Sequence, residues 1–409
     1  MNKIKLRNAL IIGLTAILAW RVLSLGLADH LAVEKPGAAL FWRSGHPEAL
    51  LRMAEKSVSR KQWPEAREYA LKALKANKLD GRALRVLGQV AEHQGDEKRA
   101  AELFNKAVAL SPRDVPSHVW LLEHALRQRQ AKPAAVHLDA LLRVSPQLAN
   151  VLMPQAAALA VNPAAQGAMI RQLAQNPPWR RHLLMALAAS GYSADQIVPV
   201  YVKLNAQSKL EPGDYLPLID RLNKEGRYAQ AYLTWANLIP EKQRKYLGNV
   251  FDGGFELPIE EQIGSYGWLV QAVDGAQAQM FSTSGTLGEN SFYLEFEGRR
   301  TPYAHLSQML ALPAGQWQLS FRAKADRLES VRGLVWRITC QSNGRTLAET
   351  EPMQGRFNWR EFNQPFTIPE DCAGQRLILM IPARIPAETL INGAIWLDEV
   401  KIQRVESLM

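Results

Sequence analysis

Cysteine is nearly absent: Cys340 and Cys372 are the only two in 409 residues. That excludes the cysteine-dense secreted scaffolds and any zinc site built on paired C-x-x-C motifs. The chain also lacks a G-x-S-x-G elbow, a G-x-x-x-x-G-K-[ST] phosphate loop and an H-E-x-x-H pair, so three large enzyme classes lose their signatures. Histidine is scarce, with seven of 8 in residues 1–247 and none at metal-ligand spacing; His118 and His124 fall on different faces of a helix. Carboxylate neighbours such as Glu260-Glu261 and Asp398-Glu399 diverge in either a strand or a helix. A glycosidase pair facing across a cleft would have to be assembled from distant strands. Long apolar runs are missing except for one near the N-terminus, which excludes a polytopic membrane protein. An apolar share of 47% with 22% charged residues excludes a disordered chain.

The charge is unevenly placed. Residues 248–409 carry 14 basic and 19 acidic side chains, a net of −5, whereas the total of +10 leaves +15 for residues 1–247. Two bodies of opposite sign share one chain, in line with a length that favours two or three domains. Nucleic acid is a poor explanation for the basic half, which has neither aromatic interleaving nor a nucleic-acid motif. Anionic headgroups or an anionic polysaccharide suit it better.

Residues 1–8 hold Lys3, Lys5 and Arg7, and the apolar run begins at Ala9. Residues 9–31 are long enough for a transmembrane anchor, with Arg21 as the one interruption before Asp29, placed to snorkel toward the interface. A cleaved signal peptide with Gly26-Leu27-Ala28 as its processing site is the competing reading, and a buried globular helix a third. The helical pattern continues through Asp29 and His30 into Leu31, which favours the anchor. Basic residues before the span keep residues 1–8 in the cytoplasm and place the bulk in a periplasm-like space. Both cysteines fall in the C-terminal body, and an isolated pair in an exported domain reads as a disulfide; two unrelated buried thiols are the alternative.

Residues 47–148 align with themselves at a period of 34. Leu84, Leu87, Gly88, Ala91, Gly95, Ala100, Phe104, Ala107 and Pro112 form one copy. The copy before it has Leu50, Met53, Ala54, Ala66 and Ala73; the copy after it has Leu121, Leu122, Ala125, Ala134, Leu138, Leu141 and Pro146. A degenerate copy with Tyr215, Leu218, Leu222, Gly226, Ala231, Trp235 and Leu238 starts near Pro212. This pattern resembles the tetratricopeptide repeat, and residues 38–247 are expected to form an α-solenoid, with 149–211 as helical pairs lacking the signature. The resemblance implies a concave groove lined by Arg82, Arg85, Gln89, His93, Glu123 and Arg127, basic enough for an acidic peptide or carboxylate. A solvated helix face is the plainer alternative.

After Tyr246 the pattern changes to short alternating runs separated by glycine and proline. Alternation predicts strands over 291–296, 316–323, 334–340, 359–368, 376–382 and 394–403, hence an antiparallel sandwich spanning 249–409. Trp317, Trp336 and Trp396 fall on its inner side by that pattern. The landmarks run from Asp252-Gly253-Gly254-Phe255-Glu256 through Leu312-Pro313-Ala314-Gly315-Gln316-Trp317 and Asn358-Trp359 to Ile395-Trp396-Leu397-Asp398-Glu399-Val400. Their order resembles the jelly-roll carbohydrate-binding modules of the galactose-binding-like class. The resemblance implies a structural calcium at Glu256 and Asp398, the one cofactor expected; otherwise both carboxylates cap turns or pair with arginines. Tyr266, Trp268, Tyr303, His305, Arg337, Phe357 and Trp359 are the candidate glycan contacts, each with a core explanation as well.

The expected architecture is therefore multi-domain α + β: a membrane helix, an α-solenoid and a C-terminal antiparallel β-sandwich. Together the two resemblances imply a non-catalytic adaptor of the bacterial inner membrane, with envelope proteins and polysaccharide as partners and a place in exopolysaccharide assembly or export. A purely structural scaffold, its sandwich docked on the helical body by opposite charge, is the rival expectation. A carbohydrate-active enzyme is the third.

Overall fold

The computed structural model describes residues 3–405; Met1 and Asn2 of the basic tail, and residues 406–409 of the sandwich, lie outside the described residues. Helices α1 (Lys3–Leu31) and α2 (Pro36–Trp42) precede three pairs: α3 (Pro47–Ser59) with α4 (Trp63–Ala76), α5 (Gly81–His93) with α6 (Glu97–Leu110), and α7 (Val115–Arg127) with α8 (Ala131–Val144). First helices begin at Pro47, Gly81 and Val115 and second helices at Trp63, Glu97 and Ala131, so the period of the sequence is the period of the structure. The chain continues through α9 (Ala149–Val161), α10 (Pro163–Leu173), α11 (Arg180–Ala189), α12 (Ala194–Gln207), α13 (Pro212–Lys224) and α14 (Tyr228–Ala236). Over Leu10–Leu31, α1 is long and apolar enough to cross a membrane, and a signal sequence meets the same test.

Local chemistry sets these boundaries. The side chains of Asp80, Asp96 and Asp114 cap α5, α6 and α7 by accepting the backbone N–H groups of Arg82, Arg99 and Ser117. The turn inside each pair needs one left-handed residue, supplied by Lys61, Gly95 and Arg129 at the same repeat position. Only Gly95 takes that conformation without a steric penalty. Ala66, Ala100 and Ala134, all within 1% of full burial, let paired helices approach, and Phe104 fills the space beside Gly88.

The chain divides into two compact units, residues 1–186 with 206–208, and residues 187–205 with 209–409. The second unit joins α13 and α14 to all ten strands. Within it the Tyr266 hydroxyl donates to Asn223 Oδ1 at 2.8 Å and reaches the Tyr228 carbonyl at 3.0 Å, while Trp235 Nε1 donates to the Ile263 carbonyl. Gly374 lies so close to the Tyr228 ring that a Cβ there would meet it.

The strands are β1 (Leu269–Val270), β2 (Ala276–Ser282), β3 (Asn290–Arg300), β4 (Leu306–Leu310), β5 (Gly315–Ser330), β6 (Val335–Cys340), β7 (Thr346–Glu349), β8 (Gly355–Ile368), β9 (Gln375–Met380) and β10 (Leu390–Arg404). They form two antiparallel five-stranded sheets, β1-β4-β9-β6-β7 and β2-β3-β10-β5-β8. Facing side chains such as Phe292, Leu294, Phe321, Trp336, Ile338, Leu377, Leu379 and Ile395 fill the space between them. The expected disulfide is present: Cys340 at the end of β6 bonds Cys372 in the turn before β9, both 1% exposed, with Cα atoms 5.7 Å apart.

Six strands stand where alternation predicts them; β1, β2, β4 and β7 do not follow that signal. In β4, Ser307 and Gln308 are buried, which breaks the polar–apolar rhythm. The Gln308 amide replaces a strand partner by accepting from Phe251 N at 2.8 Å and donating to Phe251 O at 3.0 Å.

Candidate functional site

The outer face of the second sheet carries a row of side chains running across four strands. Register sets Gln279 of β2 opposite Tyr293 of β3, Tyr293 opposite Trp396 of β10, and Trp396 opposite Lys324 of β5. Their neighbours Leu294, Ile395 and Ala323 point inward at 0% exposure, so the row must point out. The Tyr293 and Trp396 rings lie 4.9 Å apart, Lys324 Nζ sits 5.0 Å from the Trp396 ring, and Phe281 meets Tyr293 edge-on at 5.3 Å. Burial, then the Glu295 carboxylate it donates to at 3.0 Å, and then Asp326, push the Tyr293 hydroxyl up to about 12. It stays a donor at every physiological pH. One strand further, the Arg322 guanidinium covers Trp359 at 5.3 Å, and Arg356 binds Asp326 at 2.7 Å. Ring faces that stack on C–H groups, bordered by an ammonium, guanidinium groups and carboxylates that exchange hydrogen bonds with hydroxyls, are the chemistry a sugar needs.

Of the expected glycan contacts, Trp359 on β8 is half-buried, with its Nε1 donating to the Ser284 carbonyl at 3.0 Å, whereas Phe357 is corrected to the core side, opposite the buried Ala325 and packed against Phe362. Tyr266, Trp268 and Tyr303 are corrected to the core at 1–2% exposure. Helix α13 and α14 atoms cover Tyr266, Trp268 Nε1 donates to the Asp252 carbonyl at 2.9 Å, and Tyr303 packs edge-on against Phe296. His305, lowered by burial, precedes β4, and Arg337 on β6 binds Glu349 at 2.6 Å; both belong to the other sheet. Trp396, expected on the inner side, is corrected to the outer face between the buried Ile395 and Leu397; in the apolar run Ala394, Ile395, Trp396 and Leu397 alternation does not tell one face from the other.

Glu256 and Asp398 hold one loop. Glu256 Oε1 accepts the N–H groups of Glu289 at 3.0 Å and Asn290 at 3.2 Å, and Asp398 Oδ2 accepts that of Leu287 at 3.2 Å. Burial raises the Asp398 carboxyl, against the lowering by the N–H groups of Leu287 and Glu399, and Arg322 lies 3.9 Å away. Calcium takes six to eight oxygens, so an ion here would need backbone carbonyls besides these two carboxylates. Among the described residues no group of three or more His, Cys, Asp or Glu side chains is placed to hold a metal ion.

In the helical unit the three arginines of the expected groove are tied into ion pairs. Arg82 binds Glu48 of the preceding repeat at 2.8 Å and Asp80 at 2.7 Å, and Arg85 binds Glu55 at 2.5 Å and Asp114 at 3.2 Å. Burial raises Glu48 and Asp80, but Arg82, joined by Arg52 at Glu48 and Arg85 at Asp80, more than offsets it, so both stay ionised. Arg127 pairs with Glu97 at 3.4 Å, His93 stacks on Trp63 at 4.3 Å, Gln89 is half-buried and Glu123 is exposed. These arginines are neutralised by neighbouring repeats rather than left bare for an acidic ligand.

Spacing gave no sign of a histidine pair, yet His118 and His137 meet inside the third repeat. The Pro112 carbonyl, 3.0 Å from His118 Nε2, can only accept, so Nδ1 of His118 is the acceptor for His137 Nδ1–H at 3.1 Å. Burial, then His118, lowers His137 to about 4. The unfolded chain therefore takes up the proton first. Stability from this group is complete above about pH 6.5 and lost as pH falls to about 4, a change of about 3 kcal/mol. Calorimetry of His137→Leu against the wild type should show a flatter acid limb in the variant; identical slopes would contradict the assignment.

Residues 53–115 match the tetratricopeptide repeat family. These repeats suggest a surface for binding other proteins. Similar solved structures include YrrB, described as a tetratricopeptide repeat protein with an unusual peptide-binding site, at 14% identity over 51% of this chain and 95% of that one, TM-score 0.27. The sandwich resembles carbohydrate-binding modules. One is the CBM22-1 xylan-binding domain of Paenibacillus barcinonensis Xyn10C, at 14% identity over 34% of this chain and 87% of that one, TM-score 0.25. Another is TmCBM61 in complex with β-1,4-galactotriose, at 14% identity over 39% of this chain and 100% of that one, TM-score 0.26. No curated protein matches the sequence.

Proposed function

We propose that this chain is a non-catalytic adaptor, anchored in a bacterial inner membrane by α1 with its bulk in the periplasm. Its repeats recruit protein partners and the outer face of its second sheet touches a polysaccharide, in exopolysaccharide assembly or export. The observation that carries the glycan half is the outward row Tyr293–Trp396–Lys324 with Phe281 beside it, an aromatic platform bordered by charged groups. The full chain should be retarded in affinity electrophoresis through gels containing a bacterial extracellular polysaccharide. Free migration in every such gel removes the glycan half and leaves the repeats as the working surface.

The burial of Tyr266 and Trp235 between α13, α14 and the sandwich favours a second reading, a structural scaffold whose sandwich serves as a wall for helices. Protein partners captured without any polysaccharide affinity would select it. Shortened glycans released by the purified chain would replace both with a carbohydrate-active enzyme.

A further inference from the structure

The repeat register runs on past the signature residues. Helix α9 begins at Ala149, one period after α7 begins at Val115, so α9 and α10 form a fourth pair. Its turn is shorter: three residues join the helices of each earlier pair, whereas Asn162 alone joins α9 to α10. Where one pair meets the next, the first residue of a second helix faces the last turn of the following first helix. Trp63 at the start of α4 stacks on His93 at 4.3 Å, and Glu97 at the start of α6 reaches His124 at 3.1 Å and Arg127 at 3.4 Å. The same position in α8 is Ala131, which has neither ring nor carboxylate to offer.

A cavity of about 440 Å³ lies at this third joint, between the end of α7, the start of α8 and the turn of the fourth pair. Ala125, Ala131, Ala134 and Ala165 line it together with Leu126 and Leu159, and no carboxylate does. Its size falls within the range of small-ligand sites. The rim is cationic. Arg129 lines it and Lys132 follows in the chain, and neither makes an ion pair among the described residues, unlike Arg82, Arg85 and Arg127.

We propose that this cavity anchors a protein partner by taking one aromatic side chain whose neighbours in the partner's chain are acidic. The ring takes the place that Trp63 fills with the chain's own indole two repeats earlier, and buried aromatic anchors of this kind dominate the energetics of protein interfaces. A neighbouring carboxylate pairs with Arg129. The walls suit a sugar poorly, because alkyl groups dominate them and Asn162 Oδ1 is already taken by the Ala164 N–H at 3.0 Å. The inference rests on the repeats recruiting proteins. It places that recruitment at the joint where the regular array ends, away from the groove whose arginines are neutralised.

The test titrates the full chain, with its disulfide oxidised, with the acetylated and amidated tripeptide glutamyl-tryptophyl-glutamate and with its alanyl counterpart, following ligand relaxation by NMR. The tryptophyl peptide should bind at least about tenfold more tightly than the alanyl one. Ala131→Trp restores to the joint the residue that α4 carries, and Ala164→Trp closes the cavity from its exposed side; each should abolish the preference. Arg129→Gln should weaken the tryptophyl peptide about threefold, as an exposed ion pair does. Melting temperatures show whether Ala131→Trp crowds the joint, and Ala164→Trp then decides alone. Equal binding of the two peptides by the wild type, or a preference that survives in Ala164→Trp, overturns the site and leaves recruitment through other faces of the repeats standing. Failure of the full chain to cross-link to any protein in the cell removes the recruitment itself.

Discussion

Trp235→Ala is expected to lower the unfolding free energy of the second compact unit by about 4–6 kcal/mol, combining the loss of a buried aromatic side chain with a stranded carbonyl. Trp235 is 0% exposed, ringed by Tyr232, Phe251 and Tyr266, and its Nε1 satisfies the Ile263 carbonyl. Four neighbours on three segments thus depend on one side chain of α14. Leu233 on the same helix is 61% exposed, so Leu233→Ala should change stability by less than about 0.5 kcal/mol. Calorimetry of the full chain checks both. Equal, small effects would mean that α14 is not integral to the core of the sandwich.

Removing the disulfide should cost about 3–4 kcal/mol, because the bond between Cys340 and Cys372 closes a loop with a sequence separation of 32. At roughly 2–4 °C per kcal/mol for a unit of this size, the transition of the sandwich should fall by about 6–16 °C in the Cys340→Ala/Cys372→Ala double variant. A reductant should do the same to the wild type and nothing to the variant. Two thiols titrating in the native protein without reductant would contradict the pairing.

The helical half was legible because its packing demands small residues at fixed places: Ala66, Ala100 and Ala134 each sit where two helices cross, one per repeat. The ion pairs between repeats were legible in principle, since Glu48 and Arg82 are separated by one period and must therefore be neighbours. Strands with one wetted face were equally clear. What failed were positions where tertiary context overrides alternation. Ser307 and Gln308 are polar but buried, and Trp396 is apolar but outward, in a run whose two faces look alike. Tyr266, Trp268 and Tyr303 sit outside or at the edge of regular strands, where no periodicity assigns a side, and each is buried by segments distant in sequence. His118 and His137 meet only because two helices of one repeat pack against each other.

The claim on which the functional reading turns is that the outer face of the second sheet binds sugar through its aromatic row. Mobility of the full chain in polysaccharide-containing gels, compared between wild type and Trp396→Ala at matched melting temperature, tests it most directly. The row predicts that the variant loses at least about tenfold in affinity, the loss of one stacked aromatic contact, while His305→Ala on the other sheet binds as the wild type does. Unchanged retardation of Trp396→Ala would contradict it.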